Sequence, residues 1–162
     1  MATKDNFTAD EWTKVVQGVM MSGIAVTAAE PSGLFGTLKE AAASGSSMAA
    51  VKSDPGAAQL VKLVVQHMET PEGRTATRDA LKQRFAGAKP KEISQRCVDT
   101  LREVASIVDA KAPDEAPAFK IWILNTSKKV AEASKEGGFL GFGGTQVSDS
   151  EKATIDQGSK AL

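Results

Sequence analysis

The chain has no tyrosine, one cysteine, one histidine and no surplus of charge, with 20 Lys and Arg residues against 20 Asp and Glu. Each shortage excludes something. A lone Cys97 can neither staple the chain to itself nor supply a zinc cage, which fits a reducing compartment. His67 has no second histidine to share a metal with, and no Glu-x-x-His or His-x-x-His spacing exists. A net charge of zero offers no global pull on nucleic acid or anionic lipid. Long apolar runs are lacking too. The longest, Val15 to Ala29, holds about fifteen residues and includes Gln17, Ser22 and Thr27, whereas crossing a bilayer takes ~20 apolar residues. The first twelve residues mix Lys4, Asp5, Asp10 and Glu11 with no apolar block behind a basic start, so no secretory leader is expected and the cytoplasm is the expected compartment.

What is present is helical periodicity. The 162 residues are 41% apolar and 25% charged, the composition and size of one globular domain. Thr8 and Glu11 form a capping box, and Trp12, Val15, Val16, Val19, Met20, Ile24 and Ala28 then recur at three and four. Met21 and Val26 add apolar groups on the other side, so this first helix should be central. Gly18 and Ser22, one turn apart, would let a neighbouring backbone approach closely. Ser32 can cap a short second helix through Leu34, Phe35, Leu38 and Ala42. The small-residue run beyond it, residues 43–54, reads as a flexible connector, and residues 1–7 as disordered.

Asp54-Pro55 and Thr70-Pro71 each read as a cap followed by proline at the first helical position. They should open a third helix with Leu60, Val61, Val64 and Met68 inward, and a fourth with Leu81 and Phe85 inward, ending at Gly87. Pro90 opens a fifth, with the cleanest stripe: Ile93, Cys97, Leu101, Val104 and Val108. A sixth follows Pro113 and Pro117, carrying Phe119, Trp122, Ile123, Val130 and Ala133, with Ile121 and Leu124 on a second side. Ser148 with Glu151 opens a short terminal helix. No stretch alternates apolar and polar residues for long, so the expected fold is all-α, a single compact bundle of six to seven helices over residues 1–162.

The chemistry-bearing residues each have a structural and a functional reading. His67 reads as a packed side chain near a helix end, and Cys97 as buried filler, because a reactive thiolate wants exposure and nearby positive charge. No nucleophile elbow, Walker lysine or kinase signature occurs, so no catalytic residue, metal or cofactor is assigned and no enzyme is expected. Arg74, Arg78 and Lys82 form a row on the fourth helix, within a stretch from 70 to 102 holding eight basic and four acidic residues. The row is either a solvated face or a weak anion or nucleic-acid site, and aromatics for base stacking are absent beyond Phe85. The Gly-rich loop at 137–147 is the most unusual feature. Five of the eight residues from Gly137 to Gly144 are glycine, so Phe139, Leu140 and Phe142 must either tuck into the bundle or meet a partner, with Gly141 and Gly143 as hinges. Glu30-Pro-Ser-Gly-Leu-Phe-Gly has a similar flavour to this loop, as in a short internal duplication.

Glu136-Gly137-Gly138-Phe139-Leu140-Gly141 together with Val147-Ser148-x-x-Glu151 resembles the C-terminal signature of small uncharacterised bacterial helical proteins. More loosely, long apolar helices followed by a Gly turn and a Ser-x-x-Glu start resemble the tellurite-resistance TerB-like family. That resemblance implies a stress-related role and acidic groups at the turns able to hold a small ligand or cation: here Glu30, Glu136, Asp149 and Glu151. The family's Ala-Asp-Gly turn reads Ala29-Glu30-Pro31 and Lys135-Glu136-Gly137 in this chain. The expected function is binding of a protein partner or self-association, with partner contacts at Phe139, Leu140, Gly141, Phe142 and Gly143. Nucleic acid is not the expected partner.

Overall fold

A computed structural model describes residues 1–28, 37–135 and 149–162. Among these, seven α-helices and no strand are present: α1 (Ala9–Ala28), α2 (Thr37–Lys52), α3 (Gln59–Glu69), α4 (Pro71–Phe85), α5 (Pro90–Lys111), α6 (Ala116–Lys135) and α7 (Asp149–Ala161). The protein is an all-α bundle. α1 touches every other helix, most extensively α5 and α6, and so is the bundle's axis. Both sides of α1 are accordingly buried, with Val15, Val16 and Val19 on one and Met21 and Val26 on another. The α5 stripe is buried from Cys97 through Leu101, Val104 and Val108. Phe119 and Ile123 of α6 complete the main core, while Val26, Val130 and Ala131 form a smaller cluster against Ile155.

Helix starts follow local chemistry where local chemistry is available. The Thr8 amide donates to the Glu11 carboxylate at 2.8 Å and the Glu11 amide to the Thr8 hydroxyl at 3.2 Å, closing the expected box. The Thr8 backbone N–H is the main reason the Glu11 carboxyl is held below its ordinary pKa; Lys111 across the helix pair adds to it. Thr70 Oγ1 accepts from the Gly73 amide at 2.9 Å, with Pro71 behind it at the first helical position. Gly73 is required there: a Cβ would fall 1.9 Å from the His67 carbonyl oxygen. At the other end of α4, Gly87 takes φ 68°, the left-handed region that glycine occupies without strain. Gly18 brings three helices together, since a Cβ on it would stand 3.1 Å from Val104 Cγ1 and 3.3 Å from Ile123 Cδ1.

Three local expectations differ from the structure. Residues 43–52 are helical, not a connector: Ser47 and Val51 are buried, and the small side chains of α2 let it lie along α6. Residues 1–7 are fastened, with Ala2 and Phe7 buried and a single 3-10 turn at Lys4–Asn6. α3 begins at Gln59, not at Pro55. The Asp54 carboxylate instead accepts from the Gly56 amide at 2.8 Å, making a local turn that ends before the helix does its own first turn. The α3 start has Ala58 as its cap, which has no acceptor side chain. Its carboxylate comes from far along the chain: Glu115, just before α6, accepts from the Leu60 amide with one oxygen and from the Ala2 amide with the other. The proposed second-helix residues Leu34 and Phe35 lie outside the described residues.

Candidate functional site

The expected partner loop, Phe139, Leu140, Gly141, Phe142 and Gly143, lies outside the described residues, as do Glu30 and Glu136 and the side chain of Glu151. Asp149 is exposed and faces Lys152 across 3.5 Å. No group of three or more His, Cys, Asp or Glu able to hold a metal occurs among the described residues. Arg74, Arg78 and Lys82 are all exposed along α4. The Arg74 Nη1 donates to the Glu69 carbonyl at 2.6 Å and Lys82 faces Asp79 at 3.8 Å, so this row is a solvated, partly compensated face.

Cys97 and His67, the lone thiol and the lone imidazole of the chain, are drawn into the bundle to different extents. Cys97 lies within the α5 stripe, and burial pushes its thiol up to about 12, with the Arg84 charge pulling weakly the other way. His67 is half-buried, with its ring edge-on to Trp12 at 5.8 Å. Burial is the first cause of its lowered pKa and the Lys4 charge the second; Lys4 itself sits 5.9 Å over the Trp12 ring. Ring packing and a neighbouring cation both favour neutral imidazole here.

The structure assembles a different polar site, in the cleft between α1 and α4. Asp10, Thr13, Lys14 and Gln17 line one wall, and Ala80, Gln83 and Arg84 the other, around a volume of about 430 Å³. These α1 residues recur at three and four, which puts them on one face of the helix. The exposed Arg74, Arg78 and Lys82 row lies outside this lining. Arg84 is half-buried and is held by neutral groups from two other helices. Its Nε donates to Gln17 Oε1 at 3.2 Å and its Nη1 to Thr100 Oγ1 at 2.9 Å. Thr100 can accept because its own hydroxyl donates to the Arg96 carbonyl at 2.7 Å. Gln17 is 2% exposed and Thr100 0%, so both holding groups are core residues. The Arg96 Nη1 donates back to the Arg84 carbonyl at 2.8 Å, tying the end of α4 to α5.

No described carboxylate pairs with Arg84. The nearby cation Lys14 is taken by Glu103 at 2.9 Å, and Arg96 faces Glu92 at 3.9 Å. Among the described residues, the side-chain partners of the Arg84 guanidinium are thus an amide and a hydroxyl oxygen alone. In the sequence it is one basic residue among eight between 70 and 102. The traces of its role were Gln17 inside the longest apolar run and Thr100 beside Leu101 in the α5 stripe, two polar residues where burial was expected.

The remaining exposed feature is Ile121. Other than Met1 it is the one exposed large apolar side chain among the described residues, at 57%. Pro117, Ala118 and Asn125 are exposed beside it on α6, and Leu124 is half-buried. No known family model, curated protein or solved structure shows significant similarity to the chain.

Proposed function

We propose that this is a non-catalytic cytoplasmic protein of bacterial type that works by contact with another polypeptide, either a partner or a second copy. The observation that carries the reading is Ile121, an isoleucine left more than half exposed on a helix whose opposite side, Phe119 and Ile123, is fully buried. Its exposed surface forgoes burial energy that contact with another polypeptide would supply. The Phe139 to Phe142 segment, with its bulky side chains between glycines, continues the chain beyond α6 and is the second contact of this reading. A non-catalytic role is supported by Cys97, whose burial disfavours the nucleophilic thiolate.

Sedimentation velocity of the full chain over a wide concentration range, repeated with Ile121→Glu and with Phe142→Ser, tests this, alongside cross-linking in cells. The expected result is an assembly, or a cross-linked partner, lost in at least one variant while the helical circular dichroism is kept. If the chain stays monomeric at every concentration and both variants cross-link as the unaltered protein does, the reading fails. Fractionation of cells into soluble and membrane-bound material checks the location.

A further inference from the structure

We infer that the α1–α4 cleft is a binding site for a small molecule bearing one compact oxyanion, a carboxylate or phosphate, with Arg84 as its anchor. The inference starts from a mismatch between position and partners. A half-buried guanidinium is ordinarily matched to a carboxylate, because bringing a charge out of water is costly unless another charge meets it. Arg84 is matched to none among the described residues; two of its five donors go to Gln17 and Thr100, and both of those are neutral and buried. Those bonds hold the planar fork in place without spending its charge, which is the arrangement a bidentate oxyanion requires. Arg84 also lines the cleft.

The rest of the lining sets the size and class of the ligand. Thr13 and Gln83 offer neutral hydrogen-bonding groups, and Lys14 adds a cation whose charge is already shared with Glu103. Asp10 stands seven residues before Gln17 on α1, about 10 Å along the axis at 1.5 Å per residue, and it is exposed. A polyanion running the length of the cleft would meet that carboxylate, whereas a single anionic group beside Arg84 stays roughly a Debye length away from it. The cleft therefore favours a metabolite-sized monoanionic head over a nucleic-acid backbone.

The test is thermal unfolding of the full chain with inorganic phosphate and, separately, with butyrate, a monocarboxylate, at ionic strength held constant by chloride. The expected result is a saturable rise in Tm of about 2–4 °C with one or both anions, absent in Arg84→Gln and kept in Arg78→Gln. Phosphate alone would identify a phosphorylated ligand, butyrate alone a carboxylic acid, and both a general oxyanion site. No rise over chloride in the unaltered protein, or an equal rise in Arg84→Gln, overturns the inference. Because Arg84→Gln could loosen the α1–α4–α5 contact, a second reading uses the unaltered protein. In nitrogen-15 spectra recorded at low temperature the Arg84 Nη–H signals, which carry its uncommitted donors, should shift saturably on titration with the effective anion, and stationary signals also overturn the proposal.

Discussion

Among the described residues the fold shifts both Cys97 and His67, and both changes run toward neutrality. The Cys97 thiol has its pKa raised by burial from 9.0 to about 12. Between those values the unfolded chain releases a proton that the folded chain keeps, so stability should fall as pH climbs from about 9 toward 12. His67 works at the acidic end: with its folded pKa lowered from 6.5, the unfolded chain takes up a proton first, and stability should fall as pH drops below about 6.5. Urea midpoints measured across pH are therefore expected to form a plateau with two descending limbs. Cys97→Val, which keeps the volume and removes the proton, should flatten the alkaline limb; an unchanged limb would remove burial of the thiol as its cause. A thiol reagent at pH 8 should label Cys97 in the native protein only as slowly as the chain opens.

Among the elements, the contrast is between helix starts closed by neighbours and the one closed from a distance. The Thr8–Glu11 and Thr70–Pro71 starts were readable because donor and acceptor lie within three residues of each other. The α3 start was misplaced at Pro55 because its carboxylate, Glu115, stands 55 residues beyond Leu60 in the chain. Residues 43–52 were misread for a related reason: Ala, Ser and Gly carry little periodic signal of their own, and burial of Ser47 and Val51 beside α6 supplies the stability that propensity does not. Glu115→Gln should lower stability by about 1–3 kcal/mol, since it replaces a charged acceptor that two part-buried amides share. Hydrogen exchange at Leu60 and Ala2 should quicken together. Faster exchange at one of them alone would show that the carboxylate does not serve both segments.

For the molecule as a whole, the class and the axis were legible, and the polar site was not. Apolar spacing on both sides marked α1 as central, and Gly18 marked a point of close approach, which side chains of Val104 and Ile123 rather than a backbone occupy. The Arg84 cleft depends on α4 lying beside α1 with Thr100 of α5 beneath, a juxtaposition that no spacing within one helix encodes. The tight crossing at Gly18 predicts that Gly18→Val, forced against Val104 and Ile123, lowers stability by about 1–3 kcal/mol through overpacking. Gly45→Ala on α2 has nothing within 4 Å of the new methyl and should leave stability equal or raise it by about 0.5–1 kcal/mol, as judged by Tm. Equal losses from the two would show that Gly18 is not a contact point. A last consequence concerns the joint between α3 and α4. Thr70 is the single residue between Glu69 and Pro71, its hydroxyl donates to the His67 carbonyl at 2.9 Å while accepting from Gly73, and the space behind it admits no Cβ. Two rods joined by so short an elbow swing as one piece, and α3 is anchored in the core through Leu60 and Val64. The wall bearing Arg84 is thus set in position when the chain folds, so an incoming ion meets a finished surface and little ordering is left to be done on its arrival.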